Sequence, residues 1–146
     1  MPTLVDSNIL VFSADPNSPF FSEATRATAL LLGRGEELCV FPQNLIEFWV
    51  VATRPVASRG LGFSAAQAQG EITRIKSMFR LLPDSPAIYP EWEKLVTQHA
   101  VLGKNAHDAR LAAAMQVSGV GTLLTADKDD FKRFQSITAM EPKEVK

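Results

Sequence analysis

Leu4-Val5-Asp6-Ser7-Asn8-Ile9-Leu10-Val11-Phe12 carries one carboxylate and one amide inside an otherwise apolar run. A buried strand gives way to a helix within it, so Asp6 falls at the carboxyl end of the strand. A charge at such a place is costly unless something compensates it. Glu47, Asp108 and Asp127 recur at comparable junctions further along the chain.

Working outward from that stretch, apolar segments of strand length alternate with amphipathic segments of helix length. This pattern predicts an α/β fold, a single domain over 1–146 with a mainly parallel twisted sheet of four to five strands flanked by helices. Strands are expected at 3–6, 38–41, 79–82 and 122–125, with an edge strand at 136–140. Asn8 is a candidate cap for a short first helix. Pro19 precedes a helix over 20–32 that stops at Gly33 and Gly35. Pro42 suits the first turn of a helix over 43–53, and Pro55 ends it. Ser64 and Gln67 form a capping box opening a helix to about Met78. Pro90 starts another to about Leu102, and the Ala-rich 106–117 is followed by Gly119 and Gly121. Asp130 is read as the cap of a short helix over 131–134, Asp129 as a solvated acid, and 54–63, with its Pro, Gly and two Arg, as a mobile loop.

The chain has 146 residues, of which 46% are hydrophobic and 21% charged, enough for one core and too few for two. No apolar stretch of membrane-spanning length and no secretory leader pattern is present, so a cytoplasmic protein is expected. The one cysteine, Cys39, lies in an apolar strand and reads as a small core residue, which leaves neither a disulfide framework nor a Cys-based zinc site. The net charge of −1 gives no global sign of nucleic-acid binding. A local patch remains available, because Arg54, Arg59, Lys104, Arg110, Lys128, Lys132 and Arg133 lie near the acids along the chain.

Asp6 ends the first strand, Glu47 lies in the early turns of the third helix, Asp108 begins the Ala-rich helix and Asp127 follows the last core strand. All four are candidates for one edge of the sheet, where open parallel sheets bind ligands. Two like charges about 4 Å apart repel by roughly 4 kcal/mol at an effective dielectric of about 20, so convergence calls for a bound cation or bound protons. Oxygen-only ligands suit Mg²⁺ or Mn²⁺ rather than Zn²⁺. Two such ions about 3.5–4 Å apart activate water and stabilise a leaving oxygen of a phosphodiester.

Taken singly, each acid has an ordinary reading: Asp6 and Asp127 as turn or cap residues, Asp108 as a helix N-terminal acid, Glu47 as an exposed helix residue. Glu47 resists that reading, because Leu45-Ile46-Glu47-Phe48-Trp49-Val50-Val51 surrounds it with apolar side chains. Thr125 offers a hydroxyl to orient a ligand water, and Asn8 a group to hold Asp6 or a phosphate. His107 reads as a cap, surface or substrate-contacting residue, His99 as structural, and Trp49 and Trp92 as core or subunit-interface residues rather than base-stacking platforms.

The chain resembles the PIN-domain ribonucleases, and among them the VapC-type toxins of VapBC toxin–antitoxin pairs. The matching pieces are Val5-Asp6-Ser7-Asn8, Gln43-Asn44-Leu45-Ile46-Glu47-Phe48 with Thr53-Arg54-Pro55, His107-Asp108-Ala109-Arg110-Leu111-Ala112-Ala113, and Leu124-Thr125-Ala126-Asp127 with Asp130-Phe131. Four short motifs in the family's order are more specific than any one of them. The resemblance implies Mg²⁺-dependent cleavage of RNA, with Mn²⁺ able to substitute. It implies Asp6, Glu47, Asp108 and Asp127 as the catalytic and metal-binding acids, although the fourth position varies between Asp and Asn in such proteins. Asn8 and Thr125 are expected to support them, and Arg54, Lys104 and Arg110 to bind substrate. It further implies a homodimer silenced by a VapB-like antitoxin.

Three alternatives stand beside this one. A haloacid-dehalogenase-like phosphatase needs a second Asp two residues after the first, where this chain has Asn8. A receiver domain needs an acidic doublet after the first strand, and none is present. A catalytically silent PIN-like module that binds RNA or protein would use the same fold without cleavage.

Overall fold

The structure, a computed structural model, describes residues 2–146. Five short strands, β1 (Thr3–Val5), β2 (Leu38–Val40), β3 (Arg80–Leu81), β4 (Thr122–Leu124) and β5 (Thr138–Met140), form one sheet in the order β3-β2-β1-β4-β5, parallel throughout. Thr3 is partnered by Leu38 on one side and by Thr122 on the other. The chain thus builds outward from β1 through β2 and β3, then returns to the other side of β1. That reversal opens a crevice at the carboxyl ends of β1 and β4, and Asp6 and Thr125 are the first residues beyond those ends.

Helices cover both faces, which is why β1 and β2 are buried at every position rather than alternating. Leu4, Cys39 and Leu123 point into a core shared with α5 (Ile88–Gln98) and α6 (Asn105–Ser118). Val5, Leu38, Val40 and Leu124 point into a second core with α1 (Ser7–Ser13), α2 (Phe21–Gly33), α3 (Pro42–Thr53) and α4 (Ala65–Met78). Along α6, Ala109, Leu111, Ala112, Ala113, Ala114 and Met115 are all buried, so its small side chains let it lie deep in the molecule. It ends where Gly119 takes a left-handed conformation (φ 71°) and Val120 N–H returns to Met115 O at 2.9 Å.

The Ser64–Gln67 capping box is formed as expected, with Gln67 N–H donating to Ser64 Oγ at 3.1 Å and Ser64 N–H to Gln67 Oε1 at 2.8 Å. Pro42 is the first residue of α3. Three local expectations are corrected. Asn8 does not cap α1: Asp6 does, accepting from Ser7 N–H at 2.7 Å, and Asn8 lies inside the helix. Asp130 does not cap a helix over 131–134, because a 3₁₀ turn spans Lys128–Phe131 and contains it. The segment over 54–63 is not an open loop. It turns back on α3, where Leu61, Phe63 and Gly62 N–H donate to the carbonyls of Val51, Ala52 and Arg54, satisfying groups the helix end leaves orphaned. Gly60 is required there, since a Cβ would stand 2.0 Å from Arg54 O. Among the described residues no helix is long and apolar enough to cross a membrane.

Candidate active site

Asp6 leaves the carboxyl end of β1 and is 7% exposed. Its Oδ1 accepts from Ser7 N–H, and its Oδ2 accepts from the Thr125 hydroxyl at 2.8 Å. Thr125, fully buried beyond β4, also accepts from Asp127 N–H at 3.1 Å and from Asn8 Nδ2 at 3.4 Å. The hydroxyl expected to orient a water therefore orients Asp6. Asn8 in turn donates to Asp127 Oδ2 at 3.2 Å and accepts from Ala126 N–H at 3.3 Å, so it ties the β4 exit to α1 rather than touching Asp6.

Glu47 arrives from α3. The Ser7 hydroxyl stands between the two carboxylates, 3.3 Å from Glu47 Oε1 and 3.5 Å from Asp6 Oδ1. Glu47 is half-buried, and its apolar neighbours are not packed around it as its local sequence suggested: Ile46 and Val50 are 63% and 49% exposed and line an open groove beside it. Asp108 arrives from the first turn of α6. Burial, then the negative charges of Asp6, Asp130, Glu47 and Asp127, push its carboxyl up to about 7. Burial also pushes Asp6 up to about 6, against the lowering effect of its bonds from Thr125 and Ser7 and with added repulsion from Glu47 and Asp127.

The four acids expected from the sequence thus face one crevice, and a fifth, Asp130, lies near enough for its charge to act on Asp108. Its signal was the Asp127-x-x-Asp130 spacing, which places both acids on one tight turn. Gln43 is a second residue that local reading passed over. It lies four positions before Glu47 on one helix face, and its side-chain amide donates to Glu47 Oε2 at 3.4 Å and to His107 O at 2.8 Å while its Oε1 accepts from Arg110 at 2.9 Å. It bridges α3 to α6 across the site.

No salt bridge reaches any of these five carboxylates among the described residues; Arg110, bonded to the Gln43 that bridges the site, pairs instead with Asp84 at 3.6 Å. Nor is any group of three or more His, Cys, Asp or Glu side chains in the described residues drawn close enough to hold an ion as placed. The donor set nevertheless fits a hard divalent cation: it is all carboxylate oxygen, it carries excess negative charge, and two of its members are raised by burial, with repulsion from the other acids added.

Beside the acids lies a groove of about 910 Å³ lined by Ser7, Gln43 and Glu47 together with Arg54, Lys104 and Arg110. All three cations expected to contact substrate border it. Of the other basic residues, Lys128 and Lys132 are paired with Glu144 and Asp129, and Arg133 borders a different hollow beside Phe134. His107 is exposed on the groove wall, and His99 packs edge-on against Phe134.

A family model described as PIN domain matches residues 3–136. Among solved structures, the chain is similar to VapBC2 from Rickettsia felis bound to a DNA fragment from their promoter, with a TM-score of 0.73 and 16% identity over 97% of this chain and 98% of that one. VapBC-1 from nontypeable Haemophilus influenzae gives 0.71 and 14% over 99% and 100%. Mycobacterium tuberculosis VapC20, a sarcin–ricin-loop-cleaving toxin, gives 0.63 and 14% over 83% and 86%. No curated protein sequence matches. At these identities the structural likeness is one of fold.

Proposed function

The chain belongs to the PIN-domain family, and from that premise we propose that it is a Mg²⁺-dependent endoribonuclease, the VapC-type toxin of a toxin–antitoxin pair. The observation that carries the reading is the convergence of five carboxylates on the switch point of the sheet without a cationic partner among the described residues, next to a groove bordered by Arg54, Lys104 and Arg110. Carboxyl groups raised by burial and by one another in a cleft mark a candidate functional site.

In this reading Asp6 and Asp108 hold the cation, with Glu47, Asp127 and the adjoining Asp130 completing its surroundings. A divalent ion held there supplies an activated water and screens the charge of the phosphodiester. The protein does the rest. Arg54, Lys104 and Arg110 neutralise backbone phosphates and lay the RNA along the groove. Thr125 and Ser7 fix the two oxygens of Asp6, Asn8 fixes Asp127, and Gln43 fixes Glu47, so the acids meet the substrate already oriented. In this reading water rather than the ribose 2′-OH adds to the phosphorus and the P–O3′ bond breaks, so the 3′ oxygen leaves as a hydroxyl and the phosphate stays on the 5′ end of the other product.

A VapB-like antitoxin and a second copy of the chain are the expected partners, and the cytoplasm the expected place of action. Likeness in fold to toxin–antitoxin complexes from several bacteria supports the first of these. The test is cleavage of total cellular RNA by the purified protein with Mg²⁺, with Mn²⁺ and with chelator. Discrete products with 5′-phosphate ends that appear only with a divalent cation are expected. Cyclic-phosphate ends, or cleavage in chelator, would refute the mechanism, and intact RNA with retained binding would favour the silent module.

A further inference from the structure

The acid groove continues past Arg110 into a second hollow of about 460 Å³, and Arg110 and His107 line both. Its wall is aromatic. Trp92 is half-buried against the core, and its indole N–H donates to Ala106 O at 2.8 Å, which anchors α5 to the start of α6. Tyr89 leans on Trp92, with ring centroids 5.6 Å apart and planes tilted by 33°, yet it is 62% exposed. Its hydroxyl is tied to Glu93 Oε2 at 3.1 Å. An aromatic ring is therefore held at the surface against a fixed backing. At the seam between the hollows, Arg110 is steadied by Gln43 at 2.9 Å and by Asp84 at 3.6 Å.

A planar apolar wall meeting a fixed guanidinium suits a ligand that alternates flat rings with negative charges, and single-stranded nucleic acid is that ligand. Asp84 lies near the salt-bridge limit and leaves Arg110 able to take a phosphate oxygen, which an apolar helix of a partner protein does not offer. We propose that this hollow is a nucleobase subsite: an unstacked base of single-stranded RNA lies against Tyr89, while Arg110 and His107 hold the phosphate linking it to the segment at the acids. The proposal rests on the ribonuclease reading and adds to it a site for a neighbouring base. Stacking of this kind tolerates any base, so the subsite contributes affinity and register rather than a sequence code.

The test is binding of a short single-stranded RNA carrying one 2-aminopurine, with Mg²⁺ present and Asp108→Asn in the background to prevent cleavage. Tyr89→Ala is expected to weaken binding by roughly 5- to 150-fold and to remove the quenching of 2-aminopurine that stacking produces. Tyr89→Phe, which keeps the ring face, is expected to restore both. Tyr89 is surface-exposed, so the Ala variant should keep the parent's circular dichroism. If Tyr89→Ala binds and quenches like its parent while the unaltered enzyme cleaves RNA, the subsite is wrong and the ribonuclease reading stands. If the unaltered protein neither binds nor cleaves RNA, that reading fails and the subsite with it.

Discussion

The Thr125 hydroxyl donates to Asp6 Oδ2 at 2.8 Å across 119 positions of sequence, and it joins the exits of the two central strands. The same oxygen accepts from Asp127 N–H and Asn8 Nδ2, so one buried hydroxyl sets the positions of two acids. Thr125→Val keeps the volume and removes the donor. It should cost about 1.5–3 kcal/mol at pH 8, the range for a hydrogen bond to a charged group, whereas Thr125→Ser should cost less. Urea unfolding of the three proteins checks this.

In the cation-free protein, Asp6 should set part of the pH dependence of stability. Its carboxyl is raised to about 6, so the folded state binds its proton more tightly than the unfolded chain does. The resulting cost is nearly absent near pH 4, grows as pH rises, and is complete above about 6. At about 1.4 kcal/mol per pKa unit it amounts to about 3 kcal/mol. Asp6→Asn keeps an N-cap acceptor. In chelator it should be more stable than wild type by about that amount at pH 8 and by less than about 1 kcal/mol at pH 4. Asp108, raised to about 7 but only partly buried, adds a smaller effect of the same sign over a window reaching about pH 7. Parallel pH profiles for wild type and Asp6→Asn would contradict this.

Adding a divalent cation should reverse the same penalty. At about a hundredfold excess over Kd, binding adds about 2.7 kcal/mol. For a chain of this size that raises Tm by roughly 6–10 °C. Thermal melts with Mg²⁺ or Mn²⁺ should show the rise in wild type and lose it in Asp108→Asn.

Gln43 is expected to act through Glu47 and Arg110. Gln43→Leu removes its donors to Glu47 and to His107 O together with its acceptor for Arg110. The expected outcome is a fall in kcat of about 10- to 100-fold, the scale of a misplaced catalytic group. Mg²⁺-dependent melting should persist, since Asp6 and Asp108 are untouched. A change confined to KM would place Gln43 in substrate binding instead.

The parts of the fold legible in sequence are those with local causes. The Ser64–Gln67 box, Pro42 at the start of α3, and the Ala-rich helix stopped by Gly119 each follow from residues within one or two turns. Asp6 was legible because a charge in an apolar run is conspicuous. What escaped depends on distant partners. Ser7 meets Glu47 forty positions away, and Gln43 meets His107 across the gap between α3 and α6. Asp130 looked like a cap because Asp108, on which its charge acts, comes from a distant segment. The segment over 54–63 has loop composition, but its order lies in backbone bonds to α3 and in the space Gly60 leaves for Arg54 O. Glu47 read as surrounded by apolar side chains because nothing local reveals that Ile46 and Val50 border an open groove.

The central claim is that the five carboxylates converge in order to hold a divalent cation that cleaves RNA. The measurement that tests it most directly is Mn²⁺ binding by electron paramagnetic resonance, read alongside RNA cleavage in the same samples, for wild type, Asp6→Asn and Asp108→Asn. The account predicts that wild type binds Mn²⁺, that cleavage rises with occupancy, and that each variant loses both while remaining folded. Cleavage that persists in either variant, or that proceeds without bound Mn²⁺, would contradict it.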